Sequence, residues 1–273
     1  TPHGIEPTIY GQVLYEHAKS IDRELAQAAQ HIQELAFGHR GALKIGATVG
    51  GAASLVALAV CRLQDSRPGI DIRINAESSI MSLLTQLHDR TIDMLICQRP
   101  HGLEFKGTRA FSLFRAKRVA CVRAGHPLTG NVTLRDLSTY PFICPQEETG
   151  LLFGFRQIFA TIGLDLPEVL ISNSIHVTKE IVLNSDAFAL LSDLSVLSER
   201  RLGLVRSIEL EMPTQYWTQL MIREEQLPTE LMKSFVAEIL TVCKELNIEA
   251  HADAVKFRNI RSPAYSGQKI PLG

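Results

Sequence analysis

Residues 41–64 read GALKIGATVGGAASLVALAVCRLQ: a short apolar strand pattern, then a turn of small residues, then an apolar helix pattern. The strand pattern covers residues 42–47, and the helix pattern begins at about Ala52. Short apolar runs alternate with helical spacing in the same way as far as residue 222. Repeated strand, helix, strand units predict an α/β fold whose mostly parallel sheets carry helices on both faces.

Six further segments have the pattern of strands. They are residues 70–74, 92–96, 118–122, 141–144, 187–191 and 217–222. Ligands of open α/β sheets bind beyond the carboxyl ends of the strands, where the chain turns into a helix. The loops that follow the strands are therefore the places to search for a site.

Four of these loops are rich in small and hydroxyl residues. The candidate ligand-binding residues in them are Thr48, Gly50, Ser78, Ser79, Gln146, Thr149, Ser174 and His176. The glycine-rich first loop lets backbone N–H groups approach a ligand, and a helix N-terminus favours an anion. Serine and threonine are also routine helix N-caps, so capping alone remains an alternative for each loop. Four such helix starts together favour one shared cleft.

The first forty residues have the pattern of a dimerisation helix. Apolar residues follow one another at steps of 4, 3, 4, 3, 4 and 3, at Leu14, Ala18, Ile21, Leu25, Ala28, Ile32 and Leu35. This heptad spacing predicts a helix that pairs with a second chain, and Thr8 is its expected N-cap. Over three heptads a period of 3.5 is hard to separate from 3.6, so a helix packed on its own domain is the alternative.

Composition excludes several classes of protein. Of the 273 residues 45% are hydrophobic, which is too many for a disordered chain, and the net charge of -1 argues against a molecule covered by a nucleic-acid-binding surface. The five cysteines form no Cys-x-x-Cys pair, which indicates buried thiols in a reducing compartment. Without an export signal or an apolar run of about 20 residues, the chain is expected to be cytoplasmic.

Sequence motifs of catalysis are not found. The chain has no G-x-S-x-G elbow, no H-E-x-x-H zinc motif and no G-x-G-x-x-G dinucleotide loop, and its nine histidines are scattered. We therefore expect no catalytic residue, no metal and no cofactor. Arg99 and Arg115 are compatible with an acidic ligand, although exposed arginines usually have no such role.

An ordered series of segments resembles one family. Residues 5–14 (IEPTIYGQVL) look like the end of a winged helix-turn-helix followed by a linker helix, and residues 41–47 are similar to the first strand of an effector-binding domain. Residues 67–70, 91–96, 125–128, 137–143 and 185–191 follow in the same order. Together they resemble the LysR-type transcriptional regulators of bacteria.

The resemblance implies a periplasmic-binding-protein-like (type 2) domain of two Rossmann-like lobes behind a long linker helix. The wing remnant and linker helix would occupy residues 1–40 and the effector domain 41–248, with lobe I at 42–122 and 223–248, lobe II at 123–222, and a tail at 249–273. It also implies a small anionic effector held by the eight loop residues, with Thr48 and its loop amides on the anionic group.

The implied partners are a second copy, as homodimer or homotetramer, and operator DNA read by a winged helix-turn-helix that is mostly absent from this sequence. Ligand binding would control DNA binding and transcription. A solute-binding protein of a transport system shares the two-lobed fold and is the alternative function. An enzyme on the same scaffold is the third.

Overall fold

The computed structural model of the chain describes residues 41–98, 104–130, 132–144, 150–210 and 215–260. Nearer the N-terminus it describes residues 8–15, 17–19, 21, 22, 25 and 29. Three predicted heptad residues and two predicted site residues lie outside the described residues: Ala28, Ile32, Leu35, Gln146 and Thr149.

Strands and helices alternate along the described residues, as the sequence predicts. The strands are β1 (Ala42–Thr48), β2 (Asp71–Glu77), β3 (Met94–Gln98), β4 (Thr108–Arg123), β5 (Phe142–Cys144), β6 (Val169–Ile171), β7 (Phe188–Ser192), β8 (Val205–Ile208) and β9 (Gln215–Arg223). The helices are α1 (from residue 9), α2 (Gly51–Ser66), α3 (Ile80–His88), α4 (Leu134–Leu137), α5 (Gly150–Thr161), α6 (Ile175–Asn184), α7 (Leu197–Arg201), α8 (Glu230–Glu245) and α9 (Ala252–Arg258). A 3-10 helix, Asp193–Val196, follows β7.

The strands are joined in the order β2-β1-β3-β9-β4-β7-β5-β6, and β8 pairs with β4. The sheet is mixed: β1 is parallel to β2 and β3, and β5 is parallel to β6 and β7, whereas β9 runs antiparallel to β3 and β4. Residues 108–117 of β4 pair with β9, and residues 118–123 pair with β7 and β8. One strand thus belongs to two sheets, and we call the two halves lobe I and lobe II.

The crossing points between the lobes follow from this pairing. The outward crossing lies between Lys117 and Arg118, inside β4, and the chain is back in lobe I at Gln215 in β9. The boundaries predicted from the sequence stood at 122/123 and 222/223. At the outward crossing the cause is that β4 continues from one sheet into the other, so no break in the sequence pattern marks the change of sheet.

Each sheet buries an apolar core on both faces. In lobe I, α2 and α8 cover one face and α3 covers the other. In lobe II, α5 covers one face and α6 the other. The α5 core is aromatic: Phe142 stacks on Phe188 and packs against Phe155, with ring centroids 5.2 and 4.8 Å apart. Burying such a ring stabilises the fold by about 1.5–3 kcal/mol.

The alternation of side chains along β4 relates the faces of the two sheets. Ala116 packs into the α2 core of lobe I, and Ala120 and Val122 pack into the α5 core of lobe II. Since alternate residues of a strand share a face, the α2 face of lobe I continues into the α5 face of lobe II. The α3 face correspondingly continues into the α6 face, where Cys121 is buried.

The segment predicted as a C-terminal tail is ordered in its first part. Residues 252–258 form α9, whose Ala254 and Phe257 are fully buried in the lobe I core. Phe257 meets Phe111 of β4 edge to face at 5.1 Å between ring centroids. A seven-residue helix carries too few turns for a clear apolar period, which explains why the sequence pattern missed it. Residues 261–273 lie outside the described residues.

The described part of α1 presents its apolar side chains to solvent. Thr8 caps the helix as predicted, accepting a hydrogen bond from the Gly11 amide at 3.1 Å. Leu14, Ile21 and Leu25 are 70%, 62% and 67% exposed in the single chain. Ala18, the remaining described heptad residue, is also exposed.

Four of the cysteine side chains are buried, those of Cys97, Cys121, Cys144 and Cys243, and that of Cys61 is exposed. Burial raises the pKa of the Cys121 and Cys243 thiols to about 12. Across the described ranges, no helix has the length and apolar character needed to cross a membrane.

Candidate functional site

The carboxyl ends of six strands face the junction between the two lobes, and we call the region between these ends the cleft. β1, β2 and β3 run toward the junction from lobe I, in the same direction as β4. β7 is antiparallel to β4, so β7 and its parallel neighbours β5 and β6 run toward the junction from lobe II. The predicted site loops are those that follow β1, β2, β5 and β6. The topology therefore brings the loops to one cleft, as expected for ligands of α/β sheets.

On one side of the cleft, between α3 and α6, the structure places three of the predicted serines. The Ser78 hydroxyl donates a hydrogen bond to the carbonyl oxygen of Asn173 at 3.1 Å, which links lobe I to lobe II. Ser79 and Ser174 are N-caps: their hydroxyl oxygens accept from the amides of residues 82 and 177, each at 3.3 Å. We call Ser78, Ser79 and Ser174 the serine side of the cleft.

A polar cluster lies beside the serine side, between β2 and α3. The Glu77 carboxylate accepts hydrogen bonds from the side-chain amides of Gln86 at 2.7 Å and Asn75 at 2.9 Å. Hydrogen bonds from Ser82, Gln86 and Asn75 hold the pKa of Glu77 below its usual value, against the effect of burial. A negative charge therefore stands next to the serine side at neutral pH.

Thr48 and Gly50 occupy the turn from β1 into α2. Thr48 pairs with Glu77 of β2 and is half-buried, and the following amide donates to the Glu77 carbonyl at 3.0 Å. Gly50 has φ 117°, a conformation that favours glycine, and it precedes α2 without a side-chain cap. No atom lies within 4 Å of a Cβ placed on Gly50, so this helix start faces open space. His176 lies exposed in the first turn of α6.

The other side of the cleft, between α2 and α5, contains an arginine at the crossing point. The Arg118 guanidinium donates to the Gln98 side-chain oxygen at 2.6 Å and lies over the Tyr216 ring, 4.8 Å from its centroid. Burial lowers the pKa of Arg118, and Tyr216 acts in the opposite direction; the guanidinium nevertheless stays protonated. Burial likewise raises the pKa of Tyr216, against a hydrogen bond to Ser192. We call Gln98, Arg118, Ser192 and Tyr216 the arginine side.

Sequence reasoning missed Arg118. The apolar strand pattern 118–122 includes it as the first residue, and a strand end gives no sign of a change between sheets. Of the two arginines considered instead, Arg115 forms an ion pair with Glu249 at 2.8 Å and lies over the Trp217 ring, and Arg99 is outside the described residues. The sequence does contain one sign of a special position: the apolar strand pattern 118–122 begins with a charged residue, Arg118.

Within the part of the chain that the structure describes, no three His, Cys, Asp or Glu residues come close enough to hold an ion.

Comparison with known proteins gives the family. The model of the LysR substrate binding domain matches residues 37–244. The chain belongs to the LysR substrate-binding domain family. This family has the type 2 periplasmic-binding-protein-like fold, which confirms the predicted fold class. The LysR-type resemblance of the sequence is confirmed as well.

Individual relatives agree with the family. The chain is 32% identical to the transcriptional regulator GbpR of Rhizobium radiobacter over 194 residues, which are 68% of this chain and 63% of that protein. It is 26% identical over 187 residues to the dual regulator GltC of Bacillus subtilis, covering 64% of this chain and 62% of that protein. The chain thus spans less than two thirds of the length of these relatives. Both are transcriptional regulators rather than enzymes, and the transport alternative is not supported.

A solved structure shares the fold over most of the chain. A LysR family regulator of Pseudomonas aeruginosa superposes with a TM-score of 0.61 at 22% identity, covering 87% of this chain and 83% of that chain. The effector binding domain of QuiR, solved in complex with shikimate, gives a TM-score of 0.58 at 18% identity over 76% of this chain and 98% of that chain. At these identities the likeness concerns the fold.

Proposed function

We propose that this chain is the ligand-sensing and oligomerisation part of a LysR-type transcriptional regulator, and that a small anionic metabolite binds between its lobes. The observation that carries the proposal is the convergence of six strand ends on the cleft. The family membership supports it, since the matched region is the substrate-binding domain. Operator DNA would be the partner of the full-length protein, which would place the regulator in the cytoplasm.

Control of DNA binding would come from the angle between the lobes. The crossing in β4 joins the lobes, and the hydrogen bond from Ser78 to Asn173 also links them; a ligand held between the lobes would contact both. A ligand shifts such an equilibrium only by binding one arrangement more tightly than the other. The loops that carry the eight candidate residues line the cleft in this proposal.

The ligand can be sought without knowing its identity. We expect the purified chain to retain a small molecule from a bacterial host, detected as added mass under native conditions and identified after denaturation. Thr48→Val should then weaken binding of that compound at least fivefold by calorimetry, because a hydroxyl partner is lost. Thr161→Val is the matched control, because Thr161 is exposed at the end of α5 and its hydroxyl bonds only its own helix. Unchanged affinity in the Thr48 variant would remove Thr48 from the site.

Dimerisation through α1 is the second part of the proposal. Leu14 is 70% exposed and occupies a seam position of the heptad, whereas its neighbour Val13 is 56% exposed and lies outside the seam. Light scattering at micromolar concentration should give a dimer or tetramer for the wild type and for Val13→Glu, and a smaller species for Leu14→Glu. A monomeric wild type would contradict the pairing helix.

A further inference from the structure

The arginine side of the cleft has the chemistry of an anion site. We propose that the Arg118 guanidinium binds a carboxylate of the ligand, and that the Gln98 side chain occupies the guanidinium until the ligand displaces it. This inference rests on the proposed function, because it names the ligand class and the residue that recognises it in the same cleft.

The first support is the charge of Arg118. Arg62, Arg115 and Arg123 each form an ion pair with a carboxylate at 3.1 Å or less. Among the described residues, Arg118 has no carboxylate within 4.0 Å; its polar partner is the neutral amide of Gln98. A partly buried cation that pairs with an amide and a ring retains a charge that an anion can neutralise.

The acidic group that strand pairing brings next to Arg118 is Asp193, because Arg118 pairs with Ser192 and Asp193 follows it. This group is otherwise engaged. Asp193 follows β7 and accepts a hydrogen bond from the backbone amide of Lys117, the residue before Arg118, at 3.4 Å. The Lys117 ammonium is itself paired with Glu209. Neither acid forms an ion pair with Arg118 in the described part of the chain.

The second support is the position of Arg118 in the cleft. Arg118 is two residues beyond Ala116 and two before Ala120, so it shares the face of β4 that joins the α2 core to the α5 core. The starts of α2 and α5 lie at the cleft end of these cores, after β1 and β5. Positive helix ends add to the attraction of the guanidinium for an anion.

The third support is the way the arginine side spans the two lobes. The Arg118 backbone pairs with Ser192 of lobe II, and its side chain contacts Gln98 and Tyr216 of lobe I. The Tyr216 hydroxyl in turn bonds Ser192. A ligand that replaces Gln98 on the guanidinium therefore changes a contact that both lobes share, which couples occupancy to the hinge.

The Gln98 side chain occupies the position on the guanidinium that a ligand carboxylate would take. Its carbonyl oxygen presents one acceptor to the guanidinium at 2.6 Å, where a carboxylate presents two with a negative charge. Charge-assisted pairs between arginine and carboxylate are roughly twice as strong as those with neutral acceptors, so exchange favours the carboxylate.

The test uses a metabolite extract of bacterial cells as the probe, in two forms: intact, and after conversion of its carboxylates to primary amides. Native mass spectrometry measures the bound fraction on the wild-type chain, on Arg118→Gln and on Arg115→Gln. Arg115 is the matched control, three residues away on the same strand and already paired with an acid. We expect binding from the intact extract only, unaltered in Arg115→Gln and at least tenfold weaker in Arg118→Gln.

A second variant covers the possibility that Arg118→Gln unfolds. Gln98→Glu keeps the shape of the side chain and places a carboxylate on Arg118, so it should reduce the bound fraction at least tenfold while the melting temperature does not fall. Gln98→Ala removes the competitor and should strengthen binding.

The outcomes separate this inference from the proposed function. Binding that persists within twofold in folded Arg118→Gln and in Gln98→Glu overturns the role of Arg118, and a compound that binds equally after amidation overturns the carboxylate. In both cases the cleft remains a ligand site. A wild-type chain that binds nothing from either extract contradicts the proposed function itself.

Discussion

On the serine side of the cleft the hydroxyl groups are already engaged by the protein's own backbone, whereas on the arginine side a guanidinium is held by a neutral amide and a ring. Ser79 and Ser174 cap helices and Ser78 bonds across the lobes. Arg118 has Gln98 and Tyr216 as its partners. The comparison indicates that polar residues at strand ends fall into two groups. Some, like the serines, satisfy hydrogen bonds of the fold, and others, like Arg118, remain able to bind a charged ligand.

The largest effect on stability is expected at Tyr216, whose ring lies under the Arg118 guanidinium and whose hydroxyl bonds Ser192. Tyr216→Ala should lower the free energy of unfolding by about 2–3 kcal/mol, because the ring packs against the lobe I core. Tyr216→Phe keeps the ring and should cost only about 1 kcal/mol for the lost hydrogen bond. Urea denaturation measures both. Equal losses in the two variants would show that the ring itself contributes nothing.

The next effect concerns the two caps of the serine side. Ser79→Ala and Ser174→Ala should each lower the free energy of unfolding by about 1 kcal/mol, because an amide in the first helical turn loses its acceptor. Ligand affinity should change less than twofold.

The matched control for the caps is Thr229→Ala. Thr229 caps α8 in the same way, with its hydroxyl accepting from the Met232 amide at 3.2 Å, and α8 follows the end of β9 away from the cleft. A drop in affinity for Ser79→Ala or Ser174→Ala that Thr229→Ala does not show would establish ligand contact and break the contrast between the two sides.

A pH effect is expected from Glu77 beside the serine side. Its pKa is lower in the folded chain than in the unfolded chain, so its contribution to stability is present above pH about 4.5 and is lost as the pH falls through the folded pKa. The wild type should therefore lose more stability than Glu77→Gln between pH 6 and pH 3.5, by urea denaturation at both values. Parallel losses would mean that the ionised carboxylate adds nothing.

Glu77 also sharpens the comparison of the two sides. Since it is ionised at neutral pH, it repels a carboxylate on the serine side, and Arg118 attracts one on the arginine side. We expect Glu77→Gln to strengthen binding of an anionic ligand only slightly, because Glu77 is partly exposed and solvent screens part of its charge.

The sequence pattern predicted the elements of each sheet well where helices separate the strands. β1, β3, β5, β7 and β9 begin and end within two residues of their predicted positions, and β2 continues three residues further than predicted. β6 and β8 were missed, because three or four residues are too few to show a period of two. The first half of β4 was missed as well, since its apolar residues Phe111 and Phe114 are interrupted by a bulge in the pairing.

The candidate site was predictable as a set of loops and not as a set of contacts. Strand ends can be read from one segment at a time, so the sequence places Thr48 and Ser78 correctly at the ends of β1 and β2. Whether a hydroxyl caps its own helix or reaches the other lobe depends on atoms far apart in sequence, as with Ser78 and Asn173. Arg118 depends on three segments at once, through Gln98, Ser192 and Tyr216.

The smallest effect on stability is expected at Ser78, although this residue makes a direct contact between the lobes. Its hydroxyl is exposed, so Ser78→Ala should change the free energy of unfolding by less than about 0.5 kcal/mol. The hydrogen bond to Asn173 is nevertheless a direct link between the lobes on this side. Its loss should let the ligand-free lobes open about the arginine side, seen as a larger radius of gyration by small-angle scattering.

Ser66→Ala is the control for that measurement, because Ser66 also donates to a backbone carbonyl, at 3.2 Å, but within lobe I. If both variants scatter like the wild type, the serine side does not hold the lobes, and the contacts of the arginine side alone set their angle. If only Ser78→Ala opens, the two sides have distinct roles: the serine side holds the lobes together, and the arginine side is the hinge about which they turn.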